Sequence, residues 1–488
     1  MGITMVNKLF KDMSVYLFSG TITYLVTLLL IPVYTKSLSP ADYGRIELLF
    51  ILSNLACIIL SQEIYQAIGR YTVDIGDLNE RKKYVSTGLV FSLIAYGSLI
   101  VIGIANAQTI SEIILNSEND SLLISIFIIS IMGNGIFILL RSQLRWLALS
   151  VPFSIANFLF SFVTLASTII LLFMFKSGLT GVFLGQMTGS VIGIVVCCYY
   201  LRGTFSFSFE WGKFKELLRF SSPLVPSSLG MYFSQNSDRL IIPLFLGFYS
   251  LGIYTAGYKI SSMVTFLIAG LDMAITPYII KTYRDPDGPV RIEKIFRVVV
   301  LLACSFILIL QLYTKEILLI MTDSDYSEAK IYIQILSFAF LFSGIYIFAP
   351  GLWIAKRTRV IAIINIAYAA TTIALNYLLI QFFGLIGIAF SILSTAILFC
   401  YINQKISQAY YPIKYPWNKL FFVICIILVN LFIINMLTGF SIYLLVLKPV
   451  FLLTSVLLFV KILLTKNEII VILAHSKETL RILSEKIT

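Results

Sequence analysis

The stretch RKKYVSTGLVFSLIAYGSLIVIGIANA, residues 81–107, decides the fold class. After three basic residues it carries no charge, and a helix needs only about 20 apolar residues to cross a hydrocarbon layer of about 30 Å. Blocks of this kind recur along all 488 residues, of which 59% are hydrophobic and 12% are charged. Soluble proteins have about 25% charged residues. The sequence therefore predicts an all-α polytopic membrane protein.

The apolar blocks, separated by charged or Gly-, Pro- and Asn-rich breaks, predict fourteen transmembrane helices. The first block is too long for a signal peptide and lacks a small-residue cleavage pattern, so we expect it to remain as the first span. The predicted spans lie near residues 13–35, 44–67, 84–107, 122–144, 150–174, 180–201, 220–247, 250–279, 296–317, 329–353, 360–383, 385–404, 420–439 and 441–463.

The basic residues are distributed unevenly between the two sides of the predicted membrane. If the N-terminus is cytoplasmic, the inside segments hold 28 Lys and Arg residues. The outside segments hold six, which are Lys36, Arg45, Lys176, Lys315, Lys330 and Lys448. Cytoplasmic loops of membrane proteins carry such an excess, so both termini are predicted to be cytoplasmic. The net charge of +12 is explained by this asymmetry, and no nucleic-acid partner is expected.

Residues that could support metal, disulfide or catalytic chemistry are scarce. All six cysteines lie within apolar blocks, and the single histidine, His475, lies in the C-terminal tail. We therefore expect no metal site, no disulfide and no bound cofactor. No loop is long enough for a soluble catalytic domain, so an enzyme is not expected. The tail, residues 466–488, is interpreted as an amphipathic helix on the inner membrane surface or as a partly frayed end.

The chain resembles itself at a sequence offset near 208. Gly44 corresponds to Gly252, each next to a tyrosine-containing segment after a predicted span. Residues 155–157 (IAN) correspond to 363–365 (IIN), and residues 178–182 (GLTGV) correspond to 384–388 (GLIGI) at nearly the same offset. Because six spans are an even number, both copies enter the membrane from the same side, which predicts two parallel six-helix repeats.

This repeat gives the predicted domain organisation. The last pair of spans lies outside the duplication and is interpreted as an appendage. The predicted domains are an N-terminal six-helix bundle (1–204), a C-terminal six-helix bundle (205–410), transmembrane helices 13–14 (411–465) and a cytoplasmic tail (466–488).

Four short segments carry a family resemblance: 32–35 (PVYT), 38–44 (LSPADYG), 237–242 (SDRLII) and 251–254 (LGIY). With fourteen spans and a duplicated core, the chain resembles the Wzx-type polysaccharide flippases, such as O-antigen flippases, of the MOP (MATE-like) superfamily. The resemblance covers essentially the whole chain, and its motifs do not specify a substrate.

The resemblance implies a protein of the bacterial inner membrane that works by alternating access. Its substrate would be an undecaprenyl-diphosphate-linked oligosaccharide, moved from the cytoplasmic to the periplasmic leaflet. Protons, sodium ions or the membrane potential would drive transport, with H⁺ or Na⁺ as the expected coupling ion, and a polysaccharide polymerase and a chain-length regulator would be partners. The family fold lines its central cavity mainly with spans one, two, seven and eight.

Ionisable side chains inside predicted spans are costly and are therefore functional candidates. Lys259, about 10 Å beyond Gly252 along a helix, would receive the diphosphate; alternatively it extends to the periplasmic surface. Arg239 would contact phosphate or sugar, and Asp238 would hold Arg239 or accept a coupling ion. The alternative is a structural pair with separate partners, because adjacent helix residues do not face each other.

The remaining candidates lie at the ends of spans two and four. Glu63 is either a protonation site or the ion-pair partner of Arg70. Arg141 and Arg145 would receive an anionic headgroup, or they anchor the inner end of span four. The predicted substrate-binding set is Lys259, Arg239, Asp238, Glu63, Arg70, Arg45, Arg141 and Arg145.

Three other functions compete with a polysaccharide flippase. A multidrug antiporter of the same fold typically uses an acidic residue in span one, where this chain has Thr21, Thr23, Tyr24 and Thr27 instead. A peptidoglycan-precursor flippase is a closer alternative, and the composition does not exclude it. A membrane-embedded oligosaccharide polymerase or ligase would need a sizeable outer loop with catalytic Arg or His, and none is predicted.

Overall fold

The computed structural model describes residues 2–73, 75–436, 441–466 and 468, and within these ranges the side chains of all but 2–13, 273–274, 277 and 441–446. This part of the chain is helical and contains no strand. The α-helices are α1 (Gly2–Ser37), α2 (Pro40–Ser61), α3 (Ile64–Val73), α4 (Leu78–Ala105), α5 (Ala107–Leu115), α6 (Ser121–Trp146), α7 (Ser150–Ile169), α8 (Gly178–Tyr200), α9 (Trp211–Ser221), α10 (Leu224–Ser261), α11 (Met263–Thr282), α12 (Gly288–Leu312), α13 (Thr314–Met321), α14 (Ala329–Gly344), α15 (Gly351–Ile354), α16 (Thr358–Tyr410), α17 (Trp417–Met436) and α18 (Ser441–Leu463). Short π- and 3-10 turns occupy Ile170–Met174, Ser324–Tyr326 and Ile345–Phe348.

Within the described residues, eleven helices are long and apolar enough to cross a membrane. Two of them, Leu224–Asp272 and Thr358–Tyr410, exceed the length of one span. Each is broken by a glycine with a positive φ, 77° at Gly247 and 56° at Gly384. These glycines lie where the sequence predicted the ends of spans seven and eleven. The all-α polytopic class is confirmed, and the count of fourteen spans stays a prediction.

The chain forms two compact units. The first comprises residues 1–256 with 321–326, and the second comprises residues 257–320 with 327–488. The short segment 321–326 belongs to the first unit because Tyr326 donates a hydrogen bond to the carbonyl oxygen of Leu38 (3.3 Å) and packs its ring on Tyr43. The domain boundaries predicted from the repeat stay predictions.

The internal repeat is visible in the backbone. Ala148 and Lys356 are related by the same sequence offset as Gly44 and Gly252, and both have a left-handed φ, 55° and 54°. Gly178 and Gly384, the first residues of the matching segments GLTGV and GLIGI, have φ values of 57° and 56°. A non-glycine residue rarely adopts this conformation. Its recurrence at the repeat spacing therefore supports the duplication.

In the first unit, α8 packs tightly on α7 through small residues. A Cβ atom added at Gly185 would collide with Thr168, and one added at Gly189 would lie 2.7 Å from the carbonyl oxygen of Phe160. Small residues allow helix backbones to approach closely where both helices are surrounded by lipid. The glycine-rich face of α8 is therefore a packing surface for α7.

In the second unit, a buried ion pair ties α12 to the residues that follow α18. Both terminal nitrogens of Arg297 bind the Glu468 carboxylate, at 2.7 and 2.8 Å. The backbone N–H of Thr465 donates a hydrogen bond to Glu468 at 2.8 Å, as at the start of a capped helix. Burial acts to raise the pKa of Glu468, but the hydrogen bonds from Thr465 and Arg297 outweigh it and hold that pKa below its usual value. Apart from Lys466 and Glu468, the predicted tail helix lies outside the described residues.

Candidate functional site

A buried ion pair joins α2 to α10 in the first unit. Arg239 donates a hydrogen bond from Nη1 to Glu47 Oε1 at 2.8 Å. Only 4% of Glu47 and 9% of Arg239 is exposed. Charges removed from water require a partner of opposite sign, and each residue supplies that partner for the other. The two residues are far apart in sequence, so only the fold brings them together. The sequence analysis selected Arg239 as a candidate but did not predict its pairing with Glu47.

Asp238, next to Arg239, has a main partner of its own. Its Oδ2 atom accepts a hydrogen bond from the Tyr254 hydroxyl at 2.8 Å. Its Oδ1 atom is 3.7 Å from Arg239 Nε, a longer and weaker contact. Arg239 Nη2 in turn donates to Asn236 Oδ1 at 2.9 Å. The prediction that the two neighbouring charges have separate partners is confirmed.

A cavity of about 180 Å³ lies within the first unit, beside the C-terminal half of α2. Its wall includes Glu63, of which 3% is exposed, and the aromatic rings of Tyr65, Tyr96 and Tyr232. The Tyr232 hydroxyl donates a hydrogen bond to the carbonyl oxygen of Ile51 at 2.6 Å, which holds α10 against α2. The cavity therefore offers one carboxylate and several phenolic rings inside the membrane part of the protein.

Glu63 reaches this cavity through a strained turn. Gln62 and Glu63 both have a left-handed φ, 48° and 54°, and they separate α2 from α3. This conformation costs about 1–2 kcal/mol for each non-glycine residue. The continuous span predicted at 44–67 is therefore wrong, since the helix ends at Ser61 and restarts at Ile64.

The strain sets the direction of the Glu63 carboxylate. Gln66 Nε2 donates a hydrogen bond to Glu63 Oε2 at 2.7 Å. Arg70 is exposed at the end of α3, and its predicted pairing with Glu63 stays a prediction. Strained backbone that positions a buried ionisable group is a feature of functional sites.

Arg141 and Arg145 lie on α6 but have different surroundings. Arg141 is half-buried and donates from Nη1 to Asn157 Oδ1 at 2.6 Å, and Asn157 donates to Thr23 Oγ1 at 2.8 Å. This chain of bonds connects α6, α7 and α1. Arg145 is exposed and lies over the ring of Trp146. The two arginines therefore differ in their surroundings, and their predicted role as a headgroup site or as an anchor stays a prediction.

Arg45 lies at the start of α2. Its Nη1 atom is 3.7 Å from Asp42 and 3.8 Å from Asp120, and its guanidinium lies 5.7 Å from the centre of the Phe248 ring. These ion pairs are long and partly exposed, so each contributes little to stability. Together they place Arg45 among acidic partners at this end of the helix.

Lys259 belongs to the second unit and is half-buried. Two residues before it, Gly257 packs against α14, where an added Cβ atom would lie 3.1 Å from the carbonyl oxygen of Ala329. Ser261 donates to the carbonyl oxygens of Gly257 and Ile333 from the same helix face. Since successive helix residues are rotated by about 100°, Lys259 lies on the opposite side of α10 from this contact.

The structure also identifies two charged residues that the sequence analysis did not select. Asp272 of α11 accepts a hydrogen bond from Thr276 Oγ1 at 2.5 Å. It could have been found as a carboxylate within the predicted span 250–279. Lys448, predicted to lie in an outer segment, is 5% exposed in α18 and lies 2.5 Å from Glu316 of α13. The ion pair with Glu316 explains how the charged side chain of Lys448 can be buried.

The family of this chain is shown by a family model. Residues 9–283 match the sequence model of a family described as polysaccharide biosynthesis protein. The chain is 24% identical over 419 residues to a protein of the Lsg locus of Haemophilus influenzae, with 82% of this chain and 99% of that protein covered. It is 22% identical over 392 residues to a Shigella flexneri protein named as an O-antigen transporter, with 77% and 92% covered.

The solved structures that are similar to this chain include the following two. One is the lipid II flippase MurJ in an inward closed conformation, with a TM-score of 0.71, 14% identity, and coverage of 93% of this chain and 98% of that one. The other is an inward-facing multidrug resistance MATE family transporter of the MOP superfamily, with a TM-score of 0.62, 15% identity, and coverage of 79% and 94%. At this level of identity the likeness shows the fold, which is MATE-like.

Proposed function

Because the chain belongs to the polysaccharide biosynthesis protein family, we propose that it is a flippase for undecaprenyl-diphosphate-linked oligosaccharides. It moves the repeat unit from the cytoplasmic to the periplasmic leaflet by alternating access. The observation that carries this proposal is the match of residues 9–283 to that family, in a chain whose relative named as an O-antigen transporter is covered over 92% of its length.

The physical task explains the kind of site that is needed. A glycan and a diphosphate are too polar to cross hydrocarbon, since each polar group that loses its hydrogen bonds costs several kcal/mol, about 2–7. The polyprenyl chain has the opposite preference. Buried charges supply polar surface inside the membrane, and they include Glu47, Glu63 and Arg239. The outer faces of the helices remain apolar.

We assign different roles to the charged residues. Lys259 receives the diphosphate, because a compact ammonium on a flexible side chain can follow a moving anion. Arg239 is already neutralised by Glu47 at 2.8 Å, so its role is to hold α2 to α10 until transport separates the pair. Arg70, Arg141 and Arg145 form the positively charged approach on the cytoplasmic side, and Arg45 lies at the periplasmic mouth of the transport path.

Transport needs an energy source, and we propose a coupling ion, H⁺ or Na⁺. Glu63 and Asp238 are its candidate sites, because both are carboxylates with less than a tenth of their surface exposed. The protein lies in the bacterial inner membrane with both termini in the cytoplasm. A polysaccharide polymerase and a chain-length regulator act on its product.

The experiment that tests this function uses cells that lack the chain. Lipid-linked repeat units are expected to accumulate on the cytoplasmic face, and re-expression should restore surface polysaccharide. Purified protein in liposomes should move the extracted lipid-linked oligosaccharide and form no new glycosidic bond. New glycosidic bonds would instead identify a polymerase. Rescue of cells lacking their lipid II flippase would identify a peptidoglycan-precursor transporter.

A further inference from the structure

A larger cavity lies entirely within the second unit. Its volume is about 590 Å³, within the range of about 300–1,000 Å³ that is usual for small-molecule sites. The cytoplasmic half of α11 forms one wall, and residues 346–356 form the other. The lining residues are Asp272, Thr276, Ile279, Ile280, Tyr283, Tyr346, Ile347, Pro350, Trp353, Ile354 and Lys356.

One wall presents an aromatic surface. Trp353 is 59% exposed, although its indole Nε1 donates a hydrogen bond to the Tyr346 hydroxyl at 3.3 Å. Tyr346 is itself stacked on Phe399, with ring centres 5.5 Å apart and an angle of 24° between the planes. The indole is therefore held by its polar edge while most of its surface remains available to a ligand.

The opposite wall carries a carboxylate deep in the membrane. Asp272 lies nine residues before Lys281 on α11, which is about 14 Å along the helix and so about half of the hydrocarbon thickness. Ionisable groups at this depth face a helix-bundle interior or a water-filled cavity. The carboxylate therefore favours a polar occupant, because an apolar chain beside Asp272 would remove water from it at high cost.

We propose that this cavity is a saccharide subsite that holds part of the glycan of the transported lipid. Aromatic rings attract the weakly positive C–H groups of a sugar face to their negative π surface. The Asp272 carboxylate has lone pairs left to accept hydrogen bonds from sugar hydroxyls. Lys356, at the cytoplasmic end of the cavity, adds a positive charge, in addition to that of Lys259, for the diphosphate that follows the sugar. This inference rests on the flippase function proposed above.

The test compares two probes on protein purified in lipid nanodiscs. One probe is the lipid-linked oligosaccharide fraction extracted from native cells that lack this chain, and the other is undecaprenyl diphosphate without sugar. Native mass spectrometry measures the bound fraction of each. Trp353→Leu, which keeps apolar bulk but removes the π face, should weaken binding of the glycosylated probe by about tenfold, the change that about 1.4 kcal/mol produces. Binding of undecaprenyl diphosphate should not change.

The controls separate this subsite from general effects. Trp353→Phe keeps a ring and should retain most binding of the glycosylated probe, whereas Asp272→Asn should weaken it. Trp211→Ala removes a tryptophan of equal exposure, 60%, on α9 and outside the cavity, and should bind both probes as the unmodified protein does. Unchanged binding in Trp353→Leu, or an equal loss of both probes, would overturn the saccharide subsite. Failure of the unmodified protein to bind either probe would overturn the flippase proposal itself.

Discussion

Gly44 of α2 and Gly252 of α10 occupy equivalent positions of the internal repeat, and they pack directly against each other. A Cβ atom added at Gly44 would collide with the carbonyl oxygen of Phe248, and one added at Gly252 would collide with the carbonyl oxygen of Pro40. Phe248 and Pro40 are related by the same sequence offset as the two glycines. The contact is therefore reciprocal, as expected when two copies of one motif meet around a two-fold axis.

This contact predicts that neither glycine tolerates a side chain. Gly44→Ala should lower the free energy of unfolding by about 1–3 kcal/mol, because the methyl group forces the two backbones apart. The same loss is expected for Gly252→Ala. Thermal unfolding of the purified protein in detergent measures the effect, and surface polysaccharide in complemented cells measures its consequence for transport.

Gly230→Ala provides the matched control for that prediction. Gly230 is also a helical glycine of α10, but nothing lies within 4 Å of the position of its missing Cβ atom. Alanine is about 1 kcal/mol more favourable than glycine inside a helix, so this variant should be as stable as the unmodified protein or more so. Equal behaviour of the Gly44 and Gly230 variants would contradict the close contact.

The buried pair of Glu47 and Arg239 predicts non-additive effects on stability. Removal of one member leaves the other charge without this partner, which typically costs about 3–5 kcal/mol. Arg239→Ala and Glu47→Gln should therefore be strongly destabilising, and Arg239→Lys should be milder because the charge is kept. The double variant Glu47→Gln/Arg239→Met should be more stable than either neutralising single variant. A double-mutant cycle on unfolding temperatures measures this coupling, and strictly additive losses would exclude it.

The pattern of apolar residues predicted where helices begin and end, but it did not predict which helices contact each other. The breaks at Gly247 and Gly384 were visible because glycine interrupts an apolar block and permits a left-handed φ. The separate partners of Asp238 and Arg239 followed from helix geometry. The pairing of Arg239 with Glu47, a residue of a distant helix, could not be predicted, because hydrophobic patterns report only which face of a helix is buried.

The break at Gln62 and Glu63 was missed for a different reason. Neither residue is a glycine or proline, so no local signal marks the point where the helix stops. Tertiary packing holds the strained turn instead. Asp272, in contrast, carried a readable signal, since a carboxylate inside a predicted span is unusual. The pairing of Lys448 with Glu316 could not be predicted, because only the fold brings the two residues together.

The proposed role of Lys259 predicts a loss of transport without a loss of protein. Lys259→Ala should remove most activity, and Lys259→Arg should retain some, because the positive charge survives while the planar guanidinium fits less well. Surface polysaccharide at matched expression is the measurement. Lys281→Ala, at an exposed lysine in the last turn of α11, is the control and should complement fully. Full complementation by Lys259→Ala would show that the ammonium only extends to the membrane surface.

The asymmetry of basic residues predicts which loops face each side of the membrane. In a background without the native cysteines, a cysteine at Asn119 should react with a membrane-impermeant maleimide in whole cells, because that loop is predicted to be periplasmic. A cysteine at Asp285 should react only after the cells are opened. Both positions are exposed, so access does not depend on helix packing. Labelling of Asp285→Cys in intact cells would reverse the predicted orientation.

The turn at Gln62 and Glu63 allows strain and charge to be tested separately. Both residues have a left-handed φ, so Gln62→Gly and Glu63→Gly should each relieve about 1–2 kcal/mol of strain. Only Glu63→Gly removes the carboxylate from the cavity lined by Tyr65, Tyr96 and Tyr232. If that carboxylate takes part in transport, Gln62→Gly should keep surface polysaccharide at its normal level while Glu63→Gly and Glu63→Gln reduce it severalfold. Thermal unfolding of the purified variants should show that neither glycine variant is less stable than the unmodified protein, which assigns the defect to the missing charge. Normal polysaccharide from Glu63→Gln would instead leave Glu63 with a structural role as the partner of Gln66.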